Sequence, residues 1–270
     1  MRITFLGGGN MANALIGGLK KQGFSAAGIQ VVEPQADHRE RLTATYGVRC
    51  TGSVDAAALA CDALVLAVKP QQMKEALAAV SGHLSGQLLV SIAAGLRLDD
   101  IARWLGGYRR LVRTMPNTPA LIGAGITGLY ADPSVDREGR ETADRILRAV
   151  GNTVWIEEEG QMDAVTAISG SGPAYVFYFI EALEAAGREL GLAGETARQL
   201  AIETFFGASR LAEASGDAVD VLRQRVTSKG GTTEAALRSF DADGIHAAIR
   251  RGARAAEARG RELGEMMGRD

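Results

Sequence analysis

Two glycine-bearing stretches carry the residues that could do chemistry. The first, RVTSKGGTTEAAL at 225–237, sets a glycine pair and four hydroxyl side chains inside a region otherwise rich in Ala, Leu, Glu and Arg. Two adjacent glycines inside a helix would cost about 2 kcal/mol relative to two alanines, so a break at Gly230-Gly231 is the cheaper reading. A turn that feeds a helix start at Thr232–Glu234 lets backbone N–H groups converge. Hydroxyls add donors and the helix dipole adds positive potential, and such a nest takes a carboxylate or a phosphate. The candidate anion-binding residues are Ser228, Lys229, Gly230, Gly231, Thr232 and Thr233; Lys229 is the only lysine after Lys74. The plainer alternative is a capped helix start, for which one hydroxyl suffices.

The second stretch is FLGGGNMANALIGG. Gly7, Gly9 and Ala12 fit G-x-G-x-x-G/A between a short β-branched run and a helical one. Gly7 suits a tight turn, Gly9 lets backbone approach a pyrophosphate, and Ala12 lets the helix pack on a sheet, with the helix N-terminus facing the phosphates. Gly7 and Gly9 are therefore candidate contacts to a dinucleotide. Glu33 follows at the end of the next strand-like run, where an acid can hold the ribose 2′-hydroxyl of NAD. His38, Arg39 and Arg41 come soon after and could receive the 2′-phosphate of NADP. NAD and NADP both remain open on these residues, as does a plain solvated strand-end role for Glu33.

No His, Cys or carboxylate cluster marks an acid–base or nucleophilic centre. His38, His83 and His246 are scattered, and no ligand spacing suggests a metal. The remaining candidates lie where strands should end: AVKP (Ala67, Val68, Lys69, Pro70), SIAAG (Ala93, Ala94, Gly95) and RTMPNTP with Asn117. In open α/β sheets ligands bind outside the carboxyl ends of the strands.

These residues need a scaffold, and the chain changes character near residue 160. Before it, Ile3–Leu6, Ile29–Val32, Ala63–Val68, Leu88–Ile92 and Leu111–Met115 read as strands separated by helical segments, which argues for βαβ units and a parallel sheet. After it the strand signal disappears. Val176, Phe179, Ile180 and Leu183 follow helical spacing, and 194–215 and 245–267 are helical with many Ala and Gly. In AVTAISGSGPAY, Ser171 suits an N-cap and Pro173 a first helical turn. The expected fold is α/β: an N-terminal Rossmann-like doubly wound sheet domain, 1–158, followed by an all-α substrate and dimerisation domain, 159–270.

Composition bounds the class of function. The chain has 270 residues, a net charge of −2 and 46% hydrophobic residues, an ordinary globular profile. Near-neutral charge gives no electrostatic case for nucleic acid or an anionic membrane. No apolar run approaches the length of a bilayer span. The strand-like start leaves no room for a signal peptide, and two cysteines without a metal pattern, Cys50 and Cys61, suit a reducing cytoplasm.

FLGGGNM, LAVKP, SIAAG, RTMPNTP, DAVTAISGSGPAY and VTSKGGTTEAA together resemble the pyrroline-5-carboxylate reductases, in the order and spacing of that family along nearly the whole chain. SGSGPAY and TS-x-GG-TT are the specific blocks. One departure is Lys229, where the family commonly has proline. The resemblance implies reduction of 1-pyrroline-5-carboxylate to L-proline, with coenzyme at 6–11, 67–70 and 93–95. It implies that Ser228 to Thr233 hold the substrate's carboxylate and ring nitrogen; the chemistry of a cyclic imine then makes Thr233 the candidate catalytic hydroxyl, able to hydrogen-bond the nitrogen as it changes from iminium to amine. The resemblance also implies NADP as coenzyme with NAD accepted, and a homodimer, frequently within larger rings. Two rival readings are a β-hydroxyacid-type dehydrogenase and a nucleotide-binding protein without turnover. The first needs a lysine on the helix after the cofactor domain, and 173–190 has none.

Overall fold

A computed structural model describes residues 1–269. Its first half alternates strands and helices: β1 (Ile3–Leu6), α1 (Asn10–Lys21), β2 (Ile29–Val32), α2 (Ala36–Tyr46), β3 (Arg49–Thr51), α3 (Ala56–Leu59), β4 (Ala63–Leu66), α4 (Met73–Ala78), β5 (Leu88–Ser91), α5 (Leu98–Trp104), β6 (Leu111–Met115), β7 (Gly125–Ala131), α6 (Arg137–Leu147) and β8 (Gly151–Trp155). A short helix α7 (Met162–Val165), one π-helical turn (Thr166–Gly170), α8 (Gly172–Glu189), α9 (Gly194–Ala214), α10 (Val219–Arg225), α11 (Thr232–Ala242) and α12 (Ile245–Gly268) follow.

The strands form one sheet in the order β3-β2-β1-β4-β5-β6-β7-β8. All neighbours are parallel except β6 and β7, which run antiparallel. The buried strands are apolar on both faces because helices cover both. Period-two alternation sorts their side chains into two cores. Ile3, Phe5, Val31, Val65 and Val90 join Leu15, Ile16 and Leu19 of α1 and Ile146 of α6. Leu6, Val32, Leu64, Leu66 and Leu89 join Met73 and Leu77 of α4 and Ile101 of α5.

The doubly wound sheet and the helical second half agree with the expected fold class. Three strands go beyond it. β3 has only three residues, β7 carries glycine at its start and in its interior, and β8 is half exposed; each weakens the β-branched, buried signature that marks a strand in sequence.

The chain divides into two compact units, Met1–Ser171 with Ala256–Asp270, and Gly172–Ala255. The first therefore reaches past the expected boundary at 158, because residues 159–171 pack on the sheet. Arg113 of β6 donates to Glu159 at 3.0 Å and pairs with Asp163 at 3.8 Å. A Cβ on Gly128 of β7 would lie 2.6 Å from a Val165 methyl. The last turns of α12 also belong to this unit: Arg103 donates to the Gly268 carbonyl at 2.6 Å, and Met267 packs against the second core.

The second unit, 172–255, is all helical. α8 meets α9 where Gly187 faces Ala197. In the single chain Phe177 and Phe206 stay 65% and 64% exposed, with Tyr178, Leu200 and Leu211 also open. Large apolar side chains left open in this way are of the kind through which proteins associate.

Candidate active site

Register aligns the carboxyl ends of the central strands. Leu6 pairs with Val32 and Leu66, and Leu66 with Ser91, so the loops after β1, β2, β4 and β5 leave the sheet along one edge. Backbone bonds tie them: Gly7 N–H to the Val32 carbonyl and Ala67 N–H to that of Leu6, both at 2.8 Å. Leu6, Gly7 and Gly8 are buried while Gly9 and Asn10 are exposed and Met11 is half-buried. Gly7 has φ +98, and a Cβ there would lie 2.6 Å from the Ala67 carbonyl oxygen, so only glycine lets the loop pass the end of β4. α1 begins with Gly9 as an uncapped N-cap and has no acid in its first turn. Its first N–H groups and dipole thus lack an anionic partner, a setting that fits a pyrophosphate.

Ala67 and Val68 are half-buried and Lys69 exposed, ahead of Pro70. Ala93 is buried, Ala94 exposed, and Gly95 half-buried. All lie on the same edge as the glycine loop. Arg113 and Glu159, which the sequence reading did not single out, steady this region: Glu159 Oε1 accepts from Arg113 at 3.0 Å and from Leu98 N–H at 2.8 Å. The available signal was a charged residue inside an otherwise apolar strand, LVRTM; buried arginines are rare unless paired.

Glu33 is not a solvated acid. It is 6% exposed; one oxygen accepts Gly8 N–H and the other Gln35 N–H, both at 2.9 Å. Asn117 is also buried. Its Nδ2 donates to the Ser169 carbonyl and its Oδ1 accepts from Ile126 N–H, both at 3.0 Å. Its side chain thus ties the π-turn to the start of β7, rather than standing open for a ligand. Ser171 does not cap α8. It follows the π-turn in right-handed helical backbone, its N–H bonded to the Thr166 carbonyl at 2.8 Å.

In the second unit the turn before α11 has the expected form, with different donors. Gly231 N–H bonds the Ser228 carbonyl at 3.0 Å, and Gly230 N–H bonds Glu234 Oε2 at 2.7 Å. The two glycines have spent their N–H groups within the turn. The donors left for an anion are those of the first turn of α11, at Thr232, Thr233 and Glu234, which a helix never satisfies itself. Gly231 is an N-cap without a side-chain bond. Ser228, Lys229 and Thr232 are exposed and Thr233 is half-buried. Among the described residues no group of His, Cys, Asp or Glu is placed to hold a metal ion.

A doubly wound sheet with an uncapped glycine-rich helix start and an acid at the end of the second strand defines a dinucleotide-dependent oxidoreductase. Comparison with known proteins narrows the class. Residues 159–263 match the family model for pyrroline-5-carboxylate reductase dimerisation, and residues 2–95 that for NADP oxidoreductase, coenzyme F420-dependent. The pyrroline-5-carboxylate reductase of Pseudomonas aeruginosa is 46% identical over 99% of this chain and 98% of its own, and that of Haemophilus influenzae 41% over 97% of each. The structure of a pyrroline-5-carboxylate reductase from Coxiella burnetii superposes with TM-score 0.93 at 40% identity over 97% of this chain and 98% of its own. That of the Plasmodium falciparum pyrroline carboxylate reductase with NADP bound gives 0.86 at 29%, over 98% of each chain. The chain belongs to the pyrroline-5-carboxylate reductase family.

Proposed function

We propose that this chain reduces 1-pyrroline-5-carboxylate to L-proline, the last step of proline biosynthesis. The observation that carries the reading is the 46% identity to a pyrroline-5-carboxylate reductase along 99% of the chain. Bound NAD(P)H supplies the hydride. The residues at the sheet edge, 6–11, 67–70 and 93–95, with Glu33, hold and orient the coenzyme. The N–H groups opening α11 hold the substrate carboxylate, supported by the hydroxyls of Ser228 and Thr232 and the charge of Lys229. The imine nitrogen is basic enough to take its proton from solution, and hydride then adds to the imine carbon. The chain's task is orientation. Thr233 Oγ1 hydrogen-bonds the nitrogen as it changes from iminium to amine. Asn117 acts indirectly, by fixing the π-turn.

The β-hydroxyacid dehydrogenase reading finds no support: α8 has no lysine. The apolar surface on 172–255 and the matched dimerisation family support a homodimer, which we extend to rings of dimers. Two free thiols, Cys50 and Cys61, and the lack among the described residues of a helix able to cross a membrane support a cytoplasmic protein. Mixing the protein with pyrroline-5-carboxylate and NAD(P)H should consume coenzyme absorbance in step with proline formed. Coenzyme loss with no proline, or none at all, overturns the activity. A fully active monomer in sedimentation overturns the dimer.

A further inference from the structure

The end of β2 bears on which coenzyme the sheet edge accepts. Glu33 is held in place by two backbone N–H groups, those of Gly8 and Gln35. Gly8 leaves the room it needs: a Cβ there would lie 3.3 Å from Glu33 Oε2 and 2.7 Å from Leu42 Cδ1. The carboxylate cannot turn away without breaking both bonds inside a nearly closed site. Each carboxylate oxygen accepts two hydrogen bonds, so each keeps one acceptor for an incoming donor. A ribose 2′-hydroxyl is such a donor. A 2′-phosphate offers only acceptors near neutral pH and brings a charge of about −1.5 to −2 against an anion that is fixed.

Of the basic groups that could offset this charge, Arg39 and His38 already face acceptors of this chain. Arg39 Nη1 donates to the carbonyls of Glu33 at 2.8 Å and Pro34 at 2.6 Å, and a Cβ on Gly52 would lie 3.4 Å from it. The guanidinium therefore supports the loop from within. The α2 N-terminus carries Asp37 in its first turn, which already engages the positive end of the dipole. His38 Nδ1 stands 4.0 Å from Glu33 Oε1, and Arg41 is exposed.

We infer that this chain selects NADH over NADPH, and that Glu33, locked to Gly8, is the residue that sets the choice. The inference rests on the reading of residues 6–11 as the coenzyme site. Fluorescence titration of the full chain with NADH and with NADPH gives the dissociation constants directly. NADH should bind at least about tenfold more tightly, a difference of about 1.4 kcal/mol. Glu33→Ser should weaken NADH and tighten NADPH, so that the ratio falls by about tenfold or more. Glu33→Gln keeps the shape and an acceptor for one backbone N–H, and should move the ratio the same way; its melting temperature reports that the loop is still formed. Equal or tighter NADPH binding by the wild-type protein, or a ratio unmoved in two folded variants, overturns the inference. Binding of neither coenzyme overturns the site reading and the preference with it.

Discussion

Gly264 and Gly95 meet backbone to backbone: a Cβ on Gly264 would lie 2.6 Å from the Gly95 carbonyl oxygen. The last helix thus presses directly on the loop after β5, with no side chain between them.

Gly264→Ala tests this contact. Alanine favours the helix by about 1 kcal/mol, while forcing a methyl against rigid backbone costs about 1–3 kcal/mol. The carbonyl cannot rotate aside as a side chain would, so the cost should win. We expect a lower melting temperature and weaker NAD(P)H binding by titration, with the Michaelis constant for pyrroline-5-carboxylate unchanged. Wild-type coenzyme affinity in the variant would show that the loop tolerates the shift.

Thr233→Ala should lower turnover by an amount equivalent to about 1–3 kcal/mol, the range for a lost hydrogen bond to a charged or buried partner, and leave coenzyme binding intact. Its hydroxyl is assigned to a nitrogen whose hydrogen bonding changes during reaction, so the loss falls on the transition state. Lys229→Ala should chiefly raise the Michaelis constant, because an exposed flexible ammonium contributes attraction more than orientation. Steady-state kinetics separate the two. Unchanged turnover in Thr233→Ala would reduce the turn to a structural feature.

Asn117→Ala removes both bonds that join the π-turn to β7 and should cost about 1–3 kcal/mol in denaturant unfolding, from buried backbone groups left unpaired. Asn117→Asp keeps an acceptor for Ile126 N–H but sets a carboxylate oxygen against the Ser169 carbonyl. It should be destabilised at neutral pH and recover in acid, when the protonated group can donate. A pH-independent deficit would contradict this.

Asp132 predicts part of the acid sensitivity. Burial raises its pKa, yet hydrogen bonds from Ser134 and Arg109 outweigh burial and leave it below the ordinary 3.8. Ser134 N–H lies 2.9 Å and Arg109 Nη1 3.1 Å from the carboxylate. A depressed folded pKa gives stability that is present above 3.8 and lost as pH falls through the folded value. Asp132→Asn should therefore melt earlier than wild type by a constant margin from neutral pH down to about 5, and the margin should close below about 4. A margin that persists in acid would mean packing, not charge, is at stake.

What the sequence showed and what it hid divide by distance along the chain. Strands such as Leu88–Ser91 and the start of α1 are specified by neighbours, through apolar runs and a glycine loop next to a helix, and they were legible. The partners of Asn117 are nine and fifty-two residues away, so a polar residue at a strand end read as a ligand contact. Glu33 showed its acid but not the Gly8 N–H that fixes it twenty-five residues earlier. In the turn before α11 the glycines announced a break ahead of a helix start, but not that Glu234, four residues on, takes the N–H of Gly230. Helical periodicity runs unbroken through α12, so nothing local marked that its last turns belong with the sheet.

That return has a consequence for how the protein is made. A chain leaves the ribosome from its N-terminus, and domains generally fold as units in that order. Here every strand of the sheet is synthesised before Gly172, but the helical turns that cover α5 and brace the Gly95 loop follow Ala255. The nascent sheet must wait, with that flank bare, while the whole helical unit is translated. The loop after β5 reaches its finished form only after residues 172–255 have been synthesised.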